Sequence, residues 1–141
     1  MPGERAPINV LLRSEQSGGV VSVIESGSLT GFGGPPLHHH DFNETFYVIE
    51  GELTFQLGDE LFRARAGDIA LAPQVVSHTY ANLSDVHTRR LIVCTPAGFE
   101  RYFARMAAER RGEKPPEWAL QPIRGATTVA QRIGERRDGG H

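Results

Sequence analysis

The chain has 141 residues, of which 39% are hydrophobic and 23% are charged, with 16 glycines and 9 prolines. This length suits one domain with a hydrophobic core, and the composition is typical of a turn-rich globular protein. The net charge of −2 gives the chain no electrostatic reason to seek nucleic acid, and no apolar stretch reaches membrane-spanning length, so neither partner is expected.

Cys94 is the only cysteine, which excludes an intrachain disulfide. It ends the apolar run RRLIVC, where we expect the thiol to be an inert packing group. A free thiol suits a reducing compartment, and the first residues lack the long apolar segment of a secretory signal. A cytoplasmic location is therefore expected.

The region from Ile8 to Thr95 is predicted to be all-β. Its β-prone runs, in chain order, are INVLLR, GVVSVIESG, ETFYVIEG, ELTFQL, ELFRARA, DIALA, SHTYANL and TRRLIVC. Gly58-Asp59 is a strong hairpin signal between two of these runs, and Gly67-Asp68 marks another turn. Short strands with regular turns and no intervening helices predict a β-sandwich or barrel.

After Thr95 the hydrophobic period becomes that of a helix. Thr95 is predicted as the N-cap, with Pro96 at the first helical position and Gly112 at the end. One apolar face is expected to pack against the sheet and consists of Phe99, Tyr102, Phe103, Met106 and Ala107. Further on, ATTVAQRIGERR is consistent with a short helix and RDGGH with a frayed end. These features divide the chain into a β-domain over 1–97 and a helix with a tail, over 98–141, that packs on the domain or trails from it.

The stretch GGPPLHHHDFNETFYVIEGEL, residues 33–53, contains three consecutive histidines. The run is short, internal and embedded in strand-forming sequence, so it is not a purification tag. Successive side chains of a strand point to opposite faces, so His38 and His40 share a face and His39 points away. A metal ion needs convergent lone pairs, which makes His38 and His40 candidate ligands.

Two further ligands can be placed relative to this pair. A continuous strand would carry Glu44 about 13 Å past His40, too far to share an ion. Residues 41–43 favour a turn, after which Glu44 would open a returning strand that faces the histidines. A fourth ligand must come from a distant strand, and His78 is the best candidate.

Alternatives to this set remain open at the level of the residues. His87 competes with His78, but its surroundings DVHTRR indicate an exposed position, and His141 lies in the tail. The pattern of His38, His40 and Glu44 is also consistent with a surface histidine cluster that binds no metal.

The first stretch resembles the first sequence motif of the cupin superfamily, G-x5-H-x-H-x3,4-E-x6-G. His38, His40, Glu44 and Gly51 match it, while the leading glycine is displaced to Gly33 or Gly31.

A second region resembles the second cupin motif, G-x5-P-x-G-x2-H-x3-N. Gly67, Pro73, His78 and Asn82 match it, and Val75 replaces the middle glycine. The two motifs together extend the resemblance over about residues 20–95.

The resemblance implies an all-β fold, a double-stranded β-helix of the jelly-roll barrel type, followed by the C-terminal α-helix. It also implies homodimers and a metal held inside the barrel by His38, His40, Glu44 and His78. These ligands suit one divalent transition metal ion (Fe, Mn, Ni, Co or Zn) and do not select among them. The phrases ETFYVIEGELTFQLGDE and TPAGFERYF resemble small bacterial cupins related to quercetin dioxygenase.

Two residues are assigned catalytic roles on this basis. Glu44 is expected to accept a proton beside the metal. Tyr80 is expected to hydrogen-bond a bound ligand, the alternative being a tyrosine at the barrel mouth with its hydroxyl in water.

An apolar lining is expected around the metal, made of Phe46, Val48, Leu53, Phe55 and Leu71. Such a lining favours a small aromatic or apolar substrate over an organic acid or sugar nucleotide, which would need an arginine or lysine inside. Arg63 and Arg65 alternate along a strand and are expected on its solvent face.

Three functions are consistent with this sequence. The first is a dioxygenase-like oxidoreductase acting on a small phenolic or enolisable compound. The second is a non-oxidative metalloenzyme, such as an isomerase or polyketide cyclase. The third is a non-catalytic barrel that binds a metal or a small ligand. The sequence has no helix-turn-helix pattern, so a cupin fused to a DNA-binding segment, as in a transcription factor, is not expected.

Overall fold

The computed structural model of the protein describes residues 7–123 and 126–130, which form two antiparallel five-stranded sheets. The elements in chain order are β1 (Ile8–Leu12), α1 (Ser14–Ser17), β2 (Ser22–Ser28), β3 (Leu37–His40), β4 (Asn43–Glu50), β5 (Glu52–Leu57), β6 (Glu60–Arg65), β7 (Ile69–Ala72), β8 (His78–Ala81), β9 (Thr88–Thr95), α2 (Glu100–Arg110), a 3₁₀ turn (Glu117–Leu120) and β10 (Ala126–Ala130). The predicted all-β class with a C-terminal helix is confirmed. Within the described residues, no helix is both long and apolar enough to cross a membrane.

The first sheet has the strand order β1-β2-β9-β4-β7 and the second the order β10-β3-β8-β5-β6. Burial alternates along the central strands, and in β9 every second residue from Thr88 to Cys94 is buried. This period of two directs one face of each sheet inward. The core between the sheets contains Ile24, Val48 and Leu53, all fully buried, and each such side chain contributes about 1.5–3 kcal/mol.

The interior is bounded by two separate sheets, which corrects the expectation of a closed β-barrel. β6 and β7 are outermost in their sheets, and no described strand belongs to both sheets. A small cleft opens between these edges, lined by Phe55 and Phe62 on one side and Ala70 and Ala72 on the other, and it reaches His78. The double-stranded β-helix therefore has a seam along one side.

The segment between β3 and β4 carries the chain from the second sheet to the first. β3 pairs with β8 and β10, whereas β4 pairs with β7 and β9. The predicted reversal around residues 41–43 is present, but it is a crossing between sheets and not a hairpin. Packed sheets lie about 10 Å apart, so His40 and Glu44 can meet from opposite walls.

Helix α2 begins later than the sequence predicts. Thr95 is the last residue of β9, where it pairs with Asn43, so it cannot serve as the N-cap. The helix begins at Glu100 with Phe99 as its N-cap. Its end is as predicted, because Gly112 has a φ of 68°, a conformation that glycine adopts without steric cost.

The buried face of α2 is also displaced from the predicted one. Phe103, Ala104 and Ala108 are buried, whereas Tyr102 is 43% exposed. The helix packs on β1, β2 and the 3₁₀ turn. The helix therefore covers the half of the first sheet that contains β1 and β2.

Glu100 attaches this helix to the start of the chain. Its carboxylate is fully buried and accepts hydrogen bonds from the backbone N–H of Ser14 (2.7 Å), the hydroxyl of Ser14 (2.5 Å) and the N–H of Gly98 (2.7 Å). Burial alone would raise its pKa, but these three donors outweigh burial and lower it. Glu100 is therefore a structural carboxylate.

Residues 126–130 form β10, which pairs antiparallel with β3 and places Thr128 opposite His38. The short helix considered for ATTVAQRIGERR is therefore wrong over these five residues. The rest of that segment and the end RDGGH lie outside the described residues.

Val75 occupies the position of the second motif's middle glycine and keeps a glycine-like backbone. Its φ is 58°, and it is the one described non-glycine residue with a positive φ. Its N–H donates to the carbonyl of His40 at 2.8 Å, so the strained turn holds the end of β3. The side chain is 70% exposed and therefore contributes little packing.

We predict that Val75→Gly stabilises the protein. Left-handed backbone costs an L-residue roughly 1–2 kcal/mol, and the greater freedom of glycine in the unfolded chain offsets part of this gain. The free energy of unfolding in urea should rise by about 1 kcal/mol. Val20→Gly is the control, because Val20 is 66% exposed at an ordinary φ, and it should not gain stability. A loss of stability in Val75→Gly would contradict the assigned strain.

Candidate metal centre

Four side chains from three strands meet in the interior. His38 and His40 lie on β3, His78 lies on β8 as the register partner of His38, and Glu44 reaches in from β4 of the opposite sheet. One donor atom from each lies within 4.8 Å of the others. His40, Glu44 and His78 are each 2% exposed, and His38 is partly buried. The convergence that the sequence predicts is therefore present.

Backbone carbonyls fix the orientation of all three imidazoles. Nδ1 of His38 donates to Pro36 O (2.7 Å), Nδ1 of His40 to Phe42 O (3.1 Å), and Nδ1 of His78 to Val76 O (3.1 Å). A carbonyl oxygen only accepts, so each Nδ1 carries a proton and a neutral ring keeps its lone pair on Nε2. The three lone pairs are thereby directed by partners two residues away.

Glu44 provides the test of whether this cluster fits a metal ion. Its Oε1 lies 3.1 Å from Nε2 of His40 and 2.9 Å from Nε2 of His78. Each Nε2 lone pair repels the anionic oxygen that it faces unless a proton or a cation lies between them. Imidazole nitrogens with a carboxylate oxygen are typical ligands of divalent transition metals, so the donor set fits such an ion.

The charges of the cluster follow from its burial and from these contacts. Burial opposes ionisation of Glu44, but hydrogen bonds from His40 and His78 outweigh it and lower its pKa to about 2. Burial likewise acts to lower the pKa of His78, yet the hydrogen bond and charge of Glu44 raise it. The pKa of His38 is lowered, mainly by burial. At neutral pH the cluster thus contains an ionised carboxylate and a neutral His38.

Aromatic rings pack against the imidazole of His40. The Phe42 ring stacks on the His40 imidazole with centroids 3.7 Å apart and planes 4° apart. Phe99, just before α2, lies 4.9 Å from Phe42 and 5.6 Å from His40. The bend after β3 and the start of the helix therefore form a packed wall behind this ligand.

The remaining charged and polar residues considered in the sequence fall outside the cluster. His39 does not join it, and His87, Arg63 and Arg65 are exposed, as expected. Tyr80 is 6% exposed, which excludes a hydroxyl in water at a barrel mouth. Its pKa is raised, chiefly by burial, so the phenol is neutral.

The apolar lining is correct except at one position. Phe46, Val48, Leu53 and Phe55 are buried inside, but Leu71 is 50% exposed on the outer face. Ala72 pairs with Glu44 and must face inward with it, so β7 lines the interior with Ala70 and Ala72. The prediction placed the bulkier Leu71 inside and therefore assigned the wrong face of β7 to the interior.

Sequence reasoning missed Arg90, which is 2% exposed between the sheets. Its guanidinium donates to Ser28 Oγ, to Ser26 Oγ (3.2 Å) and to Tyr80 OH (3.3 Å). The expectation of an interior without a cation is therefore wrong, and with it the argument against an acidic ligand. The sequence did contain a signal for it: Arg90 lies at the same alternate positions of β9 as the apolar Ile92 and Cys94, and these positions face inward.

A glycine outside the motif assignment also positions the site. Gly34 has a φ of 77°, and a Cβ there would lie 1.7 Å from the carbonyl oxygen of Tyr80. The sequence assigned the motif glycine to Gly33 or Gly31, but the close approach to β8 occurs at Gly34.

Asn82, the last residue of the second motif, has a structural role: its buried amide donates to Leu29 O (3.2 Å) and Val86 O (2.8 Å).

Comparison with known proteins agrees with this architecture. Residues 29–94 match the family described as cupin domain. No curated protein sequence matches the chain.

Three solved structures illustrate the shared fold. A predicted oxalate decarboxylase from Thermotoga maritima has 22% identity and a TM-score of 0.61, with 64% of this chain and 80% of that chain covered. KdgF from Halomonas sp. has 20% identity and a TM-score of 0.57, covering 68% and 81%. An RmlC-like cupin family protein with a double-stranded β-helix fold from Methanocaldococcus jannaschii has 19% identity and a TM-score of 0.57, covering 65% and 81%. The chain has the double-stranded β-helix fold, and residues 29–94 match the cupin domain.

Proposed function

We propose that the protein is a metal-dependent cupin enzyme, a dioxygenase-like oxidoreductase acting on a small phenolic or enolisable compound. The observation that carries this proposal is the cluster of four donor atoms within 4.8 Å, whose imidazoles are oriented by backbone carbonyls. A surface histidine cluster would lack both the burial and the orientation.

His38, His40, Glu44 and His78 would hold one divalent ion, with Fe, Mn, Ni, Co and Zn all compatible with these ligands. When bound, such an ion supplies coordination positions for a substrate and, if redox-active, chemistry with dioxygen. The buried phenyl rings of Phe46 and Phe55 line the same cleft as His78 and would pack against a flat substrate.

Glu44 and Tyr80 are the proposed catalytic residues. Burial raises the pKa of Glu44, whereas its contacts with His40 and His78 lower it, so the carboxylate becomes a stronger base when one of those contacts is replaced by a substrate C–H. Tyr80 accepts a hydrogen bond from Arg90, and among the described residues its own proton has no acceptor. Tyr80 can therefore donate that proton to a substrate oxygen.

A second candidate is a non-oxidative enzyme, such as an isomerase or polyketide cyclase. It is favoured by the buried, ionised Glu44 carboxylate, which would suffice for proton abstraction next to a carbonyl. Oxygen consumption separates the two candidates.

We also propose that the protein forms a homodimer through the outer face of the first sheet. Ile69 is 65% exposed, Leu71 50% and Tyr47 41%, and Ile69 and Tyr47 are register partners. These side chains extend the outward row onto Leu91 of β9, the other partner of Tyr47. Contiguous exposed apolar surface of this kind marks interaction sites. Light scattering should give twice the monomer mass, and Tyr47→Lys should give the monomer.

We predict selective metal loss from the histidine variants. His38→Ala and His78→Ala should bind a divalent ion at least about tenfold more weakly, because each loses a ligand atom. His39→Ala and His87→Ala are the controls and should keep the wild-type metal content. Metal analysis of protein purified without added metal measures this. Equal loss from His39→Ala and His38→Ala would contradict the assigned faces of β3.

We predict that the metal-loaded protein consumes oxygen with a flavonol or catechol in an oxygen-electrode screen. Glu44→Asp keeps a carboxylate, whereas Glu44→Gln removes the base and should lower the rate by about 100-fold or more. Deuterium exchange of an enolisable compound without oxygen uptake would favour the second candidate. A tightly bound ligand without turnover under any of the five metals would exclude both enzymes.

A further inference from the structure

The guanidinium of Arg90 is a buried charge without a counter-charge. Arg90 is 2% exposed, and among the described residues no carboxylate forms an ion pair with it. By contrast its neighbour Arg89, on the solvent side of β9, pairs with both Glu25 and Glu50. Buried charges ordinarily are paired, because removing them from water costs several kcal/mol.

The groups around Arg90 are hydroxyls, and they leave hydrogen-bond donors unused. Ser26, Ser28 and Tyr80 each accept one of its N–H groups, while its Nε–H has no partner in the described structure. The buried hydroxyl of Thr88, the register partner of Ser28, is likewise without a partner. This end of the interior therefore combines one positive charge, free donors and no negative group.

Two aromatic rings flank the guanidinium. The centroid of Tyr80 lies 4.8 Å and that of Phe32 5.7 Å from its central carbon. Phe32 belongs to the segment between β2 and β3 and is partly exposed. The two rings thus form flat apolar walls beside the charge, and Phe32 is the more exposed of the two.

We propose that Arg90, with Tyr80, forms a carboxylate-binding site in the interior, and that its ligand is a small organic acid with an aromatic or other flat body. The carboxylate accepts from Nε–H of Arg90 and from the Tyr80 hydroxyl, and it supplies the missing counter-charge. Arg90 is not one of the four metal-ligand candidates, but the site shares Tyr80 with the proposed catalytic residues, and Tyr80 lies two residues along β8 from His78. The binding does not require the proposed reaction.

The test uses benzoate as the probe and benzamide as its neutral counterpart. Isothermal titration of metal-free and metal-loaded protein should show benzoate binding in both, with benzamide at least about tenfold weaker. Arg90→Gln should weaken benzoate by about 10–100-fold and leave benzamide unchanged. Arg63→Gln is the matched control, because Arg63 is exposed on β6, and it should bind like the wild type.

Other outcomes would overturn the proposal. Benzoate binding that survives in Arg90→Gln, or that occurs only with metal, would place the anion at the metal centre. Equal binding of chloride or phosphate would exclude a carboxylate-shaped site. If Arg90→Gln does not fold, Tyr80→Phe keeps the ring but removes one donor, and unchanged benzoate affinity in that variant would equally contradict the proposal. Metal content is measured in the same samples, so a failure of the proposed enzyme is seen separately.

Discussion

The contact of one carboxylate with two imidazoles across the interior is the constraint on which the rest of the structure depends. Glu44 comes from the first sheet, and His40 and His78 come from the second. These polar groups are buried among Phe42, Phe46 and Phe55, where an unpaired charge would be strongly destabilising. The fold can therefore bury Glu44 only if β3, β4 and β8 hold their positions together.

The surrounding elements serve that requirement through backbone contacts. The carbonyls of Pro36, Phe42 and Val76 orient the imidazoles, and the N–H of Val75 holds the carbonyl of His40. These partners are close in sequence to the histidines, so the local turns determine the rotation of the rings. A site built in this way is organised before any ion arrives.

Much of this could be predicted from the sequence, because strand alternation is a local property. The shared face of His38 and His40 follows from the period of two, and the need for a reversal before Glu44 follows from strand rise. Whether that reversal is a hairpin or a crossing between sheets depends on long-range pairing, which no local pattern contains. The prediction of Thr95 as the helix N-cap was wrong for the same reason, since its pairing with Asn43 extends β9 past that point.

The interior lining shows a second limit. In IALA both phases of the strand are apolar, so hydrophobicity could not decide which residues face inward; the pairing of Ala72 with Glu44 decided it. Arg90 was missed because arginines are rarely buried, and the adjacent Arg89 made the pair resemble a solvent-facing segment. Val75 illustrates the opposite case, in which a glycine position of a motif keeps its conformation after the glycine is lost.

The pairing of β10 with β3 has a consequence for how the protein can be divided. β3 has four residues and meets β8 at a single register pair, so most of its ladder is supplied by a strand that lies near the other end of the chain. A fragment trimmed to the recognisable domain, residues 29–94, would also leave β9 without β2. Boundaries drawn from sequence similarity alone would thus cut through the scaffold of the histidine strand, and expression of the shortened piece would sacrifice the very geometry it was meant to isolate.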